Sequence, residues 1–183
     1  MRKLNSVLAM GTVVLFLVHA AVGGLQLAGL VPGGSRVMTV LAWVMAVFIV
    51  LHTLIGIKLT ADTLSAMKKS GTGYFRENKL FWVRRISGAA VMLFIISHII
   101  LFMGETEGGA FRLSLFDSIR LAGQILLVLS VAVHLITNIK PLMISLGIKN
   151  GRELALDILL IIAVILALAG VGFVVYYIRW RVF

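Results

Sequence analysis

Five long apolar segments alternate with short polar connections along the chain. They cover residues 7–31, 37–60, 82–104, 118–145 and 154–178, and each is long enough for an α-helix that crosses a bilayer, which needs about 20 apolar residues. The connections hold turn-forming and charged residues, as in "VPGGSR" and "SLGIKNGRE". The pattern predicts an all-α integral membrane protein with five transmembrane helices.

The first segment begins like a signal peptide. In "MRKLNSVLAMGTVVLFLVHAA" a basic start precedes an apolar core and small residues. The apolar run then continues through "VGGLQLAGLV", which makes it long enough to span a membrane. We therefore expect an uncleaved first helix, and a single transmembrane domain over residues 1–183.

The composition agrees with a membrane location and narrows the chemistry. Hydrophobic residues make up 61% of the chain and charged residues 13%, whereas soluble domains are about half apolar. The chain has no cysteine, which excludes disulfides, thiolate-held iron–sulfur clusters and covalently attached c-type haem. Its net charge of +10 does not indicate nucleic-acid binding, because basic residues in short connections set membrane topology.

Lysine and arginine are divided unequally between the two sides of the predicted helices. If the N-terminus is cytoplasmic, most of the 17 fall on the cytoplasmic side. Those expected outside are Arg36, Arg112, Arg120, Arg179 and Arg181. The positive-inside rule then places the N-terminus and the 61–82 connection in the cytoplasm, and the C-terminus outside a bacterial or archaeal cytoplasmic membrane.

Each of the first four segments contains one histidine, namely His19, His52, His98 and His134. Ionisable residues inside a membrane are costly and commonly functional, although a single histidine can simply hydrogen-bond between helices. Because all four lie in helices and none in a connection, the set favours a metal or haem site.

The histidines are predicted to lie at two depths. His52 and His134 each precede a lysine at a helix end by six residues, about 9 Å at 1.5 Å per residue. His19 and His98 lie about 20 Å inside the same boundary. We expect an inner pair, His52 with His134, and an outer pair, His19 with His98, at levels about 10 Å apart.

Two facing imidazoles without a carboxylate or thiolate suit six-coordinate haem iron. A catalytic zinc would require a third protein ligand. Without cysteine the cofactor is predicted to be haem b, two per chain, in a bundle formed by the first four helices. Four residues after three of the ligands stand Gly23, Gly56 and Asn138. They would leave room for a macrocycle, but would equally allow close helix packing.

The stretch "RISGAAVMLFIISH", which ends at His98, resembles the R-x-[S/T]-G-x9-H signature of a known family. The family comprises the two-haem cytochrome b membrane anchors of succinate dehydrogenases and fumarate reductases. "HTLIG" from His52 and "HLITNI" from His134 are similar to its other ligand helices. The resemblance spans nearly the whole chain, and it implies the same pairing of the four histidines.

The resemblance also implies a role and partners. A flavoprotein and an iron–sulfur subunit, as separate chains, would dock on the cytoplasmic face. Electrons would pass between the iron–sulfur subunit and menaquinone or ubiquinone in the bilayer, so the chain would be an enzyme subunit without its own dicarboxylate site. Two such complexes could form a dimer. The alternatives are a similar anchor for another dehydrogenase, and a haem-free transport or assembly bundle.

Two adjacent arginines are candidates for binding a haem propionate, since a guanidinium suits a carboxylate. The family pattern points to Arg85 and Ser87. Helical geometry instead aligns Arg84 and Ser87 with His98 and turns Arg85 away, so both arginines remain candidates. Lys58 and Lys140 are further candidates, although such lysines commonly extend to the membrane interface.

The quinone site is less clearly marked. Gln26 lies two turns after His19, while Glu105 and Glu107 follow the third segment, and all three are candidates near the outer face. The two acids could instead belong to a solvated connection, like Asp117. Trp82 is a candidate near the inner face. Some fumarate reductases of the family carry a glutamate two residues before the fourth ligand, where this chain has Ala132.

Overall fold

The computed structural model describes residues 1–71, 78–103, 105–107, 110–112, 116–148 and 151–182. Five α-helices contain nearly all of them. They are α1 (Arg2–Leu27), α2 (Arg36–Ser70), α3 (Lys79–Phe102), α4 (Ser118–Ser145) and α5 (Arg152–Val182). Between α3 and α4, strands β1 (Glu105–Glu107) and β2 (Ala110–Arg112) form a short antiparallel hairpin. All five helices are long and apolar enough to cross a membrane, so the predicted fold class is confirmed.

The observed helix bounds differ from the predicted ones mainly in α2. The run 61–70, predicted as a polar connection, continues α2 by ten residues. It contains alanine, leucine, methionine and lysine, which favour helix, and no glycine or proline interrupts it. Gly71 then ends α2 in the left-handed conformation, with φ +67, which glycine adopts without steric cost. The helix therefore projects beyond its apolar span.

Polar side chains begin three of the helices. Ser35 accepts a hydrogen bond from the Met38 amide at the start of α2, and Asn78 accepts one from Phe81 at the start of α3. Asp117 accepts from the Arg120 amide at 2.8 Å at the start of α4. Such caps satisfy amides that have no partner within the helix, which explains why these helices begin where they do.

The first four helices form a ring. α1 packs against α2, α3 packs against α4, and α1 also contacts α4. The ring is completed between α2 and α3, where the Thr53 hydroxyl donates to the Met92 sulfur at 3.4 Å. In this order α1 lies diagonally opposite α3, and α2 diagonally opposite α4. Each predicted histidine pair therefore joins diagonal partners across the centre of the ring.

The fifth helix packs outside the ring, against α1 and α4. Most of its buried side chains lie along one face and include Ile162, Leu166, Ala169 and Phe173. Phe173 belongs to a core cluster with Leu101 and Phe116, near the end of the ring at which α1 and α3 finish. α5 therefore packs against the ring near that end, which we call the outer end. The inner end is the one at which α1 and α3 begin.

Few side chains of the four ring helices are buried. Only 6–11% of the residues in the apolar windows of α1–α4 are buried, against 22% in α5. α1 and α2 together bury only two large apolar side chains, Leu8 and Met45. Most of the apolar surface of these helices is therefore exposed, as is typical of helices that face lipid.

Candidate functional site

The outer histidines lie side by side although they belong to different helices. The ring centroids of His19 on α1 and His98 on α3 are 6.1 Å apart, with the ring planes 76° from each other. An ion bonded to one nitrogen of each ring, at about 2 Å per bond, would hold the centroids about 6 Å apart. The observed separation therefore fits two axial ligands of one metal ion.

A buried glutamine and two phenylalanines surround His98. The Nδ1 atom of His98 lies 2.7 Å from the Oε1 atom of Gln124 on α4. The ring of Phe102 lies 4.8 Å from that of His98, and the ring of Phe173 on α5 lies 6.4 Å from it. The outer pair consequently has an aromatic environment with one strong polar contact.

The inner histidines are held by oxygen atoms of neighbouring helices. The Nδ1 atom of His52 lies 3.3 Å from the backbone carbonyl oxygen of Asn5 on α1. The Nδ1 atom of His134 lies 3.3 Å from the Ser87 hydroxyl oxygen on α3. Each inner histidine is thus held by a helix next to its own in the ring.

Three of the four imidazoles thus share one hydrogen-bonding pattern. His52, His98 and His134 each direct Nδ1 at an oxygen, and two of those acceptors, a carbonyl and an amide oxygen, can only accept. Histidines that bind metals usually donate their second ring N–H in this way. The arrangement leaves each Nε2 atom for a ligand.

The motif before His98 serves His134 rather than His98. Ser87 donates its hydroxyl hydrogen to the Arg84 carbonyl at 3.2 Å, which leaves its oxygen to accept from His134. A Cβ atom placed on Gly88 would lie 3.2 Å from the His134 Cε1 atom, so glycine here admits the imidazole against α3. The stretch "RISG" therefore shapes the inner site, while His98 at its end belongs to the outer one.

The two arginines have different surroundings. Arg84 donates from Nε to the Thr137 carbonyl oxygen on α4 at 2.8 Å. In a regular helix that carbonyl would accept from residue 141, which is Pro141 and has no N–H. Arg84 replaces the missing donor, and so joins α3 to α4.

Arg85 packs against an aromatic ring of its own helix. Its guanidinium carbon lies 4.9 Å from the centre of the Phe81 ring. Both arginines are half-buried at the inner end, so both stay candidates for binding a haem propionate.

Open space lies beside both glycines that follow ligand candidates by one turn. A Cβ atom added at Gly23 or at Gly56 would meet no atom within 4 Å, so these glycines do not serve close helix packing. Asn138, in the corresponding position on α4, folds back and donates from Nδ2 to the His134 carbonyl oxygen at 2.7 Å. All three positions leave the ligand face of their helix clear.

The two levels lie farther apart than the predicted 10 Å. Gln124 lies at the level of His98, and ten residues of α4 separate it from His134, about 15 Å along a helix. On α3, eleven residues separate Ser87 from His98, about 16 Å. The prediction took Arg84 and Lys140 as one boundary. Ser87, three residues after Arg84, contacts His134, which precedes Lys140 by six residues, so those two helix ends do not lie at one level.

The lysines and the quinone candidates are not gathered at one place. Lys58 and Lys140 are exposed. Gln26 donates from Nε2 to the Pro32 carbonyl at 3.1 Å, which ties its amide to the connection after α1. Trp82 is half-buried at the inner end, with its ring edge-on to Phe81. The backbone of Glu105 and Glu107 forms β1, but their side chains lie outside the described part of the structure.

The structure also places Asp117 and Ala132, the position at which some fumarate reductases carry a glutamate. Asp117 caps α4 and forms an ion pair with Arg120 at 3.0 Å, which favours its interpretation as a connection residue. Ala132 lies in an apolar groove between α4 and α5, with Leu129 and Gly170. Within the described ranges, no group of three or more His, Cys, Asp or Glu side chains gathers.

Sequence reasoning missed Gln124, Asn5 and the pairing of Arg84 with Thr137. Gln124 had a readable signal, because it is a polar residue inside the apolar run of α4. Pro141 marked the Thr137 carbonyl as lacking its helical partner. Asn5 contributes a backbone oxygen, for which side-chain chemistry gives no signal.

Comparisons of the chain with models of protein families, with curated proteins and with solved structures find no match.

Proposed function

We propose that this chain is a di-haem cytochrome b that anchors a succinate dehydrogenase or fumarate reductase complex in a membrane. It would hold two haems b, each between two histidines, and carry electrons between an iron–sulfur subunit and a membrane quinone. The observation that carries the proposal is the placement of two histidine pairs on the two diagonals of a four-helix ring.

The chain's own residues suit such a cofactor. His19 and His98 would be the axial ligands at the outer level, and His52 and His134 those at the inner level. Their Nδ1 contacts fix the orientation of three of the rings, and the space beside Gly23 and Gly56 would take the flat macrocycle. A bound haem b supplies one reversible electron, held by the iron.

The inner end suits the charged parts of the group. Haem propionates are carboxylates, and the guanidinium groups of Arg84 and Arg85, both half-buried at this end, would suit them. Ser6 accepts a hydrogen bond from Ser145 at 2.6 Å at this end, which ties the start of α1 to the end of α4. The inner end is thus polar, and a hydrogen bond between two of its helices stabilises it. Both properties suit the side that would meet water-soluble subunits.

The resemblance in "RISGAAVMLFIISH" supports the choice of complex, and with it a flavoprotein and an iron–sulfur subunit as partners on the inner, cytoplasmic face. The N-terminus would then be cytoplasmic and the C-terminus outside. The projecting end of α2, which carries Lys68 and Lys69, lies on the same face and is placed to meet those subunits.

Purification of the tagged chain from its own membranes in mild detergent tests the proposal. We expect it to bring along a flavoprotein and an iron–sulfur protein, and succinate to reduce haem b in the preparation or fumarate to oxidise it. A preparation with haem b that responds to neither compound would make the chain an anchor for another dehydrogenase. A preparation without a Soret band would make it a haem-free bundle and overturn the proposal.

A further inference from the structure

Gln124 is the most completely buried polar residue of the described chain, with 0% of its surface exposed. It lies on α4, six residues after Ser118, where the helix is otherwise apolar. Its Oε1 atom contacts His98 Nδ1 at 2.7 Å, the shortest of the contacts made by the three histidines. A polar side chain in this place requires an explanation.

The amide nitrogen of Gln124 has different surroundings from its oxygen. Within the described part of the chain, the Nε2 atom of Gln124 is buried without a hydrogen-bond partner. An unpaired buried donor costs free energy, and a methionine would fill a similar volume without that cost. Packing and stability alone therefore do not account for glutamine here, and its oxygen is the group with a use.

That oxygen selects one tautomer of His98. An amide oxygen only accepts hydrogen bonds, so the proton of the neutral imidazole must reside on Nδ1. The lone pair of Nε2 is then available to a metal. If the amide presented its NH2 group instead, the proton would reside on Nε2 and block that atom.

We propose that Gln124 is a positioning residue for the outer haem. It holds His98 in the metal-binding tautomer, and its short hydrogen bond makes the imidazole a stronger donor to the iron. Because a more basic ligand favours ferric iron, Gln124 keeps the reduction potential of the outer haem low. Ser87 does the same for His134 over a longer distance, 3.3 Å. This inference rests on the proposed function, since it requires a haem at the outer level.

The test is a redox titration of the purified complex, followed by haem absorbance and by the EPR signals of the ferric haems. Gln124→Met removes the acceptor at similar volume. We expect the equilibrium constant for reduction of one haem component to rise about tenfold, which raises its potential by about 59 mV for one electron. One EPR signal should also move. Gln124→Glu keeps an acceptor oxygen, and should restore that component to its original potential or below.

Two matched variants locate the effect. Ser87→Ala should shift the other haem component and leave the first unchanged. Leu127→Met changes a buried side chain one turn along α4 and should move neither. If the methionine variant does not fold, Gln124→Asn, which draws the amide back by one methylene, should give a smaller upward shift in the same component.

The outcomes separate two failures. If Gln124→Met or Gln124→Asn lowers the melting temperature but leaves both potentials and both EPR signals unchanged, Gln124 only joins α3 to α4 and the inference is overturned. Loss of the outer haem alone in Gln124→Met would support it. If the unchanged protein binds no haem, the proposed function itself has failed, independently of Gln124.

Discussion

The inner and outer histidine pairs occupy the same ring of helices but are held in different ways. At the outer end, the rings of His19 and His98 lie side by side, 6.1 Å apart, and Phe102 and Phe173 lie against His98. At the inner end, His52 and His134 are each bound to a different neighbouring helix, and two half-buried arginines lie close by.

The difference shows that one helix bundle can give its two histidine pairs unlike environments. Phe102 and Phe173 lie against His98, so its contact with Gln124 lies in apolar surroundings, where a hydrogen bond is stronger. The inner pair lies among serine, arginine and backbone oxygens, where charge is more easily accommodated. The inner pair therefore has the more polar surroundings and the outer pair the more aromatic ones.

Removing one ligand of either pair should produce the largest change. We expect His52→Leu to lose the inner haem and His19→Leu the outer one, because a single remaining histidine does not hold six-coordinate iron between two helices. Each variant should keep one haem b per chain, measured by absorbance against protein mass.

The identity of the surviving haem can be checked with a second substitution. Ser87→Ala should shift the potential of the haem that remains in His19→Leu, and should have no effect on the haem that remains in His52→Leu. The reverse result would show that the pairs are assigned to the wrong levels.

A bulky side chain placed beside one histidine pair should affect the haem at that level and not the haem at the other. Gly56→Leu should exclude the inner haem and Gly23→Leu the outer one, because each adds a bulky side chain where the structure has open space. Gly56→Ala and Gly23→Ala should be tolerated. Gly170→Leu is the control, since it adds the same volume on α5 beside open space and should leave both haems. Equal haem content in all five variants would show that the space is not used.

The hydrogen bond from Arg84 should matter for stability more than for haem chemistry. Arg84→Met should lower the free energy of unfolding by about 1–3 kcal/mol, because it leaves the Thr137 carbonyl without a donor. In a Pro141→Ala background that carbonyl regains its helical N–H, so the same substitution should cost about 1 kcal/mol less. Thermal unfolding of the four proteins in detergent gives the coupling, and additive effects would show that Arg84 does not replace the missing amide.

Arg85 should have the smallest effect, confined to the inner pair. Its positive charge disfavours ferric iron. Arg85→Leu should therefore lower the potential of the inner haem, with a decrease of up to about tenfold in the equilibrium constant for its reduction. The outer component should not move. A shift of the outer haem, or of both equally, would mean that the charge does not act locally.

The sequence allowed the five helices to be predicted because hydrophobic length is a strong signal, and the bounds of α4 agree to the residue. The extension of α2 over residues 61–70 was missed because six of its ten residues are polar, so the run carries helix propensity but is too polar for a membrane span. The histidine pairs were predicted from spacing along the helices.

The supporting contacts could not be predicted in the same way. Which residue of α3 meets His134 depends on the rotation of two helices about their axes, and an error of one residue turns a side chain by about 100°. For this reason the contact of Ser87 with His134 was not predicted. Backbone acceptors such as the Asn5 carbonyl carry no residue-type signal at all.

The central claim is that two haems b lie between the two diagonal pairs of histidines. A pyridine haemochrome assay on the purified complex, divided by the amount of this chain, tests it most directly. The account predicts two haems b per chain. A ratio of one, or a preparation without haem, would contradict it.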